Sequence, residues 1–323
     1  MTRRDVLKAA ASAALAATGL TAFASDKAPI KLLVGFSAGG NVDLVARLLA
    51  EELRSELGRN VLVENRPGAG GRLAAQALKA APADGGTYLF SPDSWAVFPT
   101  ITMSEAQLRY SYTRDMAPVA RVVSYPLGFF ASASSGVKSL GDYVAKVRKN
   151  PELALYGSSG AGSITEFLGV LMSKEMGTKL TVVPFKGASE VKTMLMGGQV
   201  QVGIMSPSDV LAEDSKNIVP LGMIAPRRSA LAPQIPTLAE QGVNVTQGSA
   251  FMGLWSSSKT PAAERARMEK AIEAIAAKPG FKKKLALAYM ESDFAGAQAL
   301  DKQVRDLLAF WKPVVDASGF KPS

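Results

Sequence analysis

Three times in this chain an apolar, strand-like run stops at glycines and hands over to a helix-like run. The first unit reads Ile30-Lys31-Leu32-Leu33-Val34-Gly35-Phe36, then Ser37-Ala38-Gly39-Gly40-Asn41, with helical periodicity from Val42. The second reads Val61-Leu62-Val63-Glu64, then Asn65-Arg66-Pro67-Gly68-Ala69-Gly70-Gly71-Arg72. The third loop, Gly157-Ser158-Ser159-Gly160-Ala161-Gly162-Ser163, again lies between a strand and a helix. Each loop ends at a helix N-terminus, which offers unpaired N–H groups and a partial positive charge. Glycines let an anion come close to those groups. The chain is therefore expected to be α/β, with a series of anion cradles.

The alternation of strand and helix runs on almost throughout, which argues for layers with mostly parallel strands. Val45, Leu49, Leu53 and Leu57 recur every fourth residue, with Leu44 and Leu48 beside them, and Gly58 stops that helix. Asp84-Gly85-Gly86 forms a turn into a strand at 87–90. A long apolar run from Val119 to about Phe130, interrupted by Pro126, is long enough to cross between domains, and Ser249 to Ser256 is a second such run. The expected organisation is a domain of 29–123 plus 249–323 and a second of 124–248. These would be two Rossmann-like α/β domains joined by crossover hinge strands, with a ligand cleft between them.

The chemistry open to such a cleft is narrowed by composition. The chain has no Cys and no His. That removes disulfides, thiolate nucleophiles, thiolate zinc sites, the Ser-His-Asp triad and imidazole acid–base groups. An enzyme using carboxylates or a Ser-Lys pair remains open. The Gly/Ser loop is not GxxxxGK[ST], because no Lys follows its last Gly, and it is not GxSxG. No cofactor and no metal are expected. A carboxylate suits the cradles, because it accepts several N–H and O–H bonds at once.

The formal net charge is +9, which is compatible with an acidic ligand. Lys282-Lys283-Lys284 follows Phe281 in a helical region and reads as a solvated helix face, so no nucleic-acid partner is expected. The start, Met1-Thr2-Arg3-Arg4-Asp5-Val6-Leu7-Lys8 and then an Ala/Leu-rich run to Ala24, reads as an export signal cut after Ala24, either of twin-arginine type or an ordinary Sec signal that carries two arginines. Residues 1–24 would then be a signal peptide, and the mature chain periplasmic.

The candidate ligand-binding residues follow from the loops. Phe36, Ser37, Ala38, Gly39 and Gly40 form the first cradle. Asp43 sits in the first turn of the following helix, placed either to complement the dipole or to orient the loop or meet a ligand amino group. Arg66, Gly70 and Arg72 belong to the second loop. Ser91, Asp93, Ser94 and Trp95 follow the strand at 87–90 at the same end as the first two loops. Trp95 and Phe98 either cover a ligand or pack in the core. Ser158, Ser159, Gly160, Gly162 and Ser163 come from the Gly/Ser loop, Lys186 and Gly187 follow a strand at 180–185, and Ser206 follows one at 200–205.

The ordered set of motifs resembles the Bug family, the extracytoplasmic solute receptors of tripartite tricarboxylate transporters. The resemblance rests on Pro29-Ile30-Lys31-Leu32, Phe36 to Asp43 and Val63 to Gly71. It continues through Pro82-Ala83-Asp84-Gly85, Tyr156 to Ser163, Val183 to Gly187, Gly197-Gly198-Gln199-Val200 and Ile235 to Gly242. It implies a two-domain periplasmic binding protein that closes on a small carboxylate held by the first loop and the Gly/Ser loop, with ordered water. By position the implied contacts are Phe36 to Gly40 and Asp43, with Ser158 to Ser163, Lys186 and Gly187 opposite. The implied partners are a small aliphatic or aromatic carboxylate and the membrane subunits of a transporter, with the receptor a monomer. The alternatives are a ligand-dependent partner of a sensor domain and a periplasmic enzyme acting on carboxylates. The chain departs from the family pattern in having Ala38 for the usual Pro. It has Glu166 near a frequent His, Gln201 for a frequent Asp, and Met205-Ser206-Pro207-Ser208 where an Asp-containing loop is common.

Overall fold

A computed structural model describes residues 28–211 and 215–322. The expected export signal lies outside the described residues. The chain opens with β1 (Ile30–Val34), α1 (Asn41–Leu57), β2 (Val61–Asn65), α2 (Arg72–Ala80), β3 (Thr87–Pro92) and α3 (Ser94–Thr102). Strand β1 pairs in parallel with both β2 and β3, so the loops that follow these strands gather at one sheet end. The periodicity read in α1 is a packing face: Val45, Ala46, Leu49 and Leu53 are buried, and Gly58 closes the helix in the left-handed conformation at φ 61°.

After two short helices, α4 (Glu105–Leu108) and α5 (Tyr112–Asp115), the 17-residue β4 (Met116–Ser132) begins. Next come α6 (Leu140–Lys149), β5 (Leu155–Ser158), α7 (Ile164–Glu175), β6 (Thr181–Pro184), α8 (Ala188–Met196), β7 (Val202–Met205), α9 (Pro207–Val210) and β8 (Ile218–Ile224). The chain then returns along β9 (Ser249–Ser257) and ends with α10 (Ala262–Ala277), α11 (Pro279–Ala286), β10 (Glu291–Gly296) and α12 (Ala297–Ser318).

Strand β4 belongs to two sheet halves. Its residues 116–126 pair antiparallel with β9, which itself pairs antiparallel with β3. Its residues 127–132 pair antiparallel with β8, and 128–131 with β7. Strand β5 is parallel to β6 and β7. One lobe therefore carries β1–β3, β9, β10 and the start of β4. The other carries β5–β8 and its end. The order β2-β1-β3-β9-β4-β7-β5-β6 runs continuously through the two crossover strands.

A second seam is aromatic. Phe98 of α3 stacks on Phe167 of α7 with ring centroids 5.2 Å apart, and Trp311 of α12 meets Phe98 edge-on at 5.5 Å. The three are almost wholly buried, so the C-terminal helix is packed against both lobes. The lysine run is less free than a bare solvated face: Lys284 pairs with Glu51 of α1 at 3.3 Å, and Lys278 pairs with Glu52 at 3.1 Å. Among the described residues no helix is long and apolar enough to cross a membrane.

Candidate functional site

The first two glycine loops pack backbone against backbone. A Cβ on Gly35 would lie 2.4 Å from the Gly71 Cα, so Gly35 must lack a side chain. Gly71 holds φ 92°, and a Cβ there would stand 3.4 Å from Trp95 Cβ, 3.5 Å from Ser91 Oγ and 3.6 Å from the Phe36 ring. The ends of β1, β2 and β3 therefore converge on one spot. This corrects the loop position read for Ser91 and answers the alternative left open for Trp95. Ser91 is not in a loop but inside β3, fully buried. The Trp95 ring is enclosed by Tyr110, Tyr112 and Trp255, with centroids 6.0, 5.7 and 5.3 Å away, so it is a core residue rather than a cover. Phe98 is likewise taken up in the seam between lobes.

Asp43 is the internal anion of the first loop. Its carboxylate accepts from Gly39 N–H, Arg47 Nε and Asn65 Nδ2, each at 2.9 Å. Asn65 also donates to Phe36 O at 3.1 Å, which ties the second strand to the first loop. Burial alone would push Asp43 up, but the Arg47 guanidinium and the Gly39 and Asn65 donors outweigh it and hold it at about 2. With three donors already on it, Asp43 orients the loop. The remaining donors of this cradle are the first-turn N–H groups of α1, which lack intrahelical partners. Gly40 is the N-cap and brings no side chain to them. Ser37, Ala38, Gly39 and Gly40 are all exposed.

The Gly/Ser loop is built the same way. Gly162 N–H donates to Glu166 Oε2 at 2.7 Å, and Ser159 N–H donates to Thr165 Oγ1 at 2.9 Å. Thr165 Oγ1 also lies 3.1 Å from Ser159 Oγ and 2.8 Å from Ser163 Oγ, which forms a hydroxyl chain along the loop. Burial raises Glu166 above the usual carboxylate range, with the Gly162 N–H opposing it. Ser158 is buried, with Oγ 3.4 Å from Gly160 O. The Phe320 ring closes over Gly162, where a Cβ would come within 2.8 Å of it.

The lobes meet at Asn41. Its Nδ2 donates to Ser208 Oγ at 2.9 Å and to Asp209 Oδ1 at 3.1 Å. Ser206 caps α9, and its N–H donates to Asp209 Oδ2 at 3.1 Å. Burial raises Asp209, while the Ser206 N–H, Asn41 and the charge of Lys192 pull it back. Tyr125, on the crossover strand, is driven well above the usual phenol range by burial and by Asp93 and Asp209 nearby. Asp93, at the N-cap of α3, is pushed by burial up to about 7, against backbone N–H groups of Phe251, Ser94 and its own residue.

Other residues named from the sequence stand apart. Arg66 is exposed and bonded to Glu64. Arg72 donates to Ala69 O at 2.9 Å, and Gly70 is exposed at φ 64°. Ser94 is half-buried and begins α3. Lys186 has an exposed side chain, and its N–H donates to Glu190 at 2.8 Å, beside a half-buried Gly187. Gln201 Nε2 donates to Gly198 O at 3.2 Å. The sequence reading missed Tyr125, Ser208 and Asp209. The signal for the last two was there: Ser206-Pro207-Ser208-Asp209 has the Ser–x–x–acid spacing and first-turn Pro of a capped helix. A cavity of about 90 Å³ lies against both crossover strands, at Tyr125, Arg227, Ser249 and Glu291, and includes none of the glycine-loop residues.

Two α/β lobes joined by crossover strands define the class of periplasmic binding proteins. The Rhodopseudomonas palustris protein Rpa4515, solved with adipate, superposes with a TM-score of 0.83 at 25% identity, over 91% of this chain and 98% of its own. MatC of the same organism, solved with malate, gives 0.78 at 25% identity over 89% and 98%. Protein BugT of Bordetella pertussis is 31% identical over 215 residues, 66% of each chain. The profile of the tripartite tricarboxylate transporter family receptor (TctC) matches residues 45–320, and the chain belongs to that family.

Proposed function

We propose that this protein is a periplasmic receptor that captures a small carboxylate between its lobes and delivers it to the membrane subunits of a tripartite transporter, without turnover. The observation that carries this reading is the convergence of the first glycine loop and the Ser206–Asp209 segment across the lobes at Asn41. The adipate and malate bound by two structural neighbours support a carboxylate as ligand. The carboxylate would meet the first-turn N–H groups of α1 and the hydroxyls of the Gly/Ser loop. The moving units are 29–123 with 249–323 and 124–248. Exposed Lys186 and Arg66 would draw an anion in rather than hold it.

A ligand that binds only the folded state raises the unfolding midpoint, increasingly so as its concentration exceeds its dissociation constant. A thermal-shift screen of the mature protein against aliphatic and aromatic carboxylates is expected to pick out one class of acid, recovered unchanged after incubation. Conversion of the acid would make the protein an enzyme, and no shift with any acid would remove the carboxylate reading.

A further inference from the structure

The hinge carries two opposite charges that face one cavity from different lobes. Side chains alternate along a strand, so Ser124 and Pro126 point away from the side on which Tyr125 stands near Asp93 and Asp209. The register sets Glu291 opposite Ser124 and Ser249 opposite Pro126, so these four side chains share the far face of the crossover strands. The cavity of about 90 Å³ lies there and is completed by the turn after β8, at Arg227 and Ser229. Glu291 opens β10 in the first lobe, where Ser292 Oγ donates to Ala276 O at 2.9 Å and Asp293 pairs with Arg121 at 2.7 Å. Arg227 belongs to the second lobe, on a turn that Arg228 anchors through Glu240 and Pro233 O, each at 3.0 Å. Among the described residues neither Arg227 nor Glu291 has an ion-pair partner. Arg227 is exposed and Glu291 half-buried.

We propose that Arg227 and Glu291 form an ion pair across the back of the hinge when the cleft opens, a latch that holds the ligand-free receptor open. The inference rests on the receptor reading, since it needs lobes that part. Bending a pair of strands so that one face opens brings the other face together. In the closed arrangement, with Asn41 on Ser208 and Asp209, the charges at the back stand apart. Opening swings β10 and the turn after β8 toward each other, and the charges meet as the cavity closes. The latch and the Asn41 contacts therefore oppose each other, one on each side of the hinge. Ion pairs this exposed contribute modestly, so the latch weakens ligand binding by up to about fivefold. Both residues tune affinity from outside the cleft, without touching ligand.

The test is zero-length crosslinking by a carbodiimide, which joins a Lys ammonium to a carboxylate in contact with it. The protein is ligand-free Arg227→Lys, with and without Asn41→Ala, and mass spectrometry of the digest reads the amide between positions 227 and 291. Lys278 and Glu52, 3.1 Å apart within the first lobe, are the internal control. The amide is expected to form about tenfold faster once Asn41→Ala frees the lobes, with the control unchanged, and to vanish when Glu291→Gln is added. Should Asn41→Ala fail to fold, Ser208→Ala with Asp209→Ala removes the same contact from the other lobe. An equal rate with the lobes tied and freed would overturn the latch, as would absence of the amide while the control forms. Either result leaves the carboxylate reading standing, because no ligand enters the experiment.

Discussion

Asn41 and Asp209, 168 positions apart, share a hydrogen bond of 3.1 Å that joins the first turn of α1 to the second lobe. The same amide reaches Ser208 Oγ at 2.9 Å. A hydrogen bond to a charged group is worth roughly 1.5–3 kcal/mol, so this contact favours the lobes being together with or without ligand. Asn41→Ala is expected to expand the ligand-free protein in small-angle scattering and to weaken ligand binding by about tenfold, since each 1.4 kcal/mol is a factor of ten. An unchanged scattering profile and an unchanged affinity would show that the contact contributes nothing to closure.

Asp43 should matter to the fold. Its folded value of about 2 lies below the ordinary 3.8, so its contribution is complete above about pH 4 and is lost as pH falls toward about 2. That shift corresponds to about 2 kcal/mol. Asp43→Asn is expected to lower stability to denaturant by about this amount at pH 7, with the gap to wild type closing toward pH 2. A gap independent of pH would mean that shape rather than charge holds the loop.

Asp93 has the opposite sign. Its folded value is raised to about 7 from 3.8, so the folded state holds a proton that the unfolded state has released. Stability therefore declines as pH rises from about 4 to 7 and then levels off. Asp93→Asn is expected to raise the unfolding midpoint by several degrees at pH 8 and to change it little at pH 4. Equal effects at both pH values would contradict the burial argument.

The aromatic seam should be a major source of cohesion. Phe98 touches Phe167 and Trp311 and is almost fully buried. Truncating a buried Phe to Ala costs about 3–5 kcal/mol, so Phe98→Ala is expected to lower the midpoint by about 10 °C. A loss below about 1 kcal/mol would show that the C-terminal helix is only loosely seated.

Elements with a clear period were legible. Helix α1 announced itself through Val45, Leu49 and Leu53, because one face is buried and the other solvated. Helix α3 was not legible: Trp95-Ala96-Val97-Phe98 is buried along its whole length, so no polar face marks the turns, and Pro99 sits inside it. Strand β10, Glu291–Gly296, is polar and half-exposed with a register shift, so it lacks alternation. In the site, the glycine loops could be read because their conformations demand glycine locally. The Asn41–Asp209 contact and the burial of Asp93 could not, because both depend on which distant segments the crossover strands bring together.

The most direct test is a calorimetric titration of the ligand into wild type and Gly40→Asp. Gly40 has φ −82°, and an added Cβ would meet only Ser37 O at 3.6 Å, so the fold accepts a side chain there. Asp at an N-cap also favours the helix, yet it fills the cradle with a fixed negative charge. The expected result is an unfolding midpoint equal to or above wild type with carboxylate binding abolished. Wild-type affinity in Gly40→Asp would contradict the claim that this helix N-terminus holds the ligand.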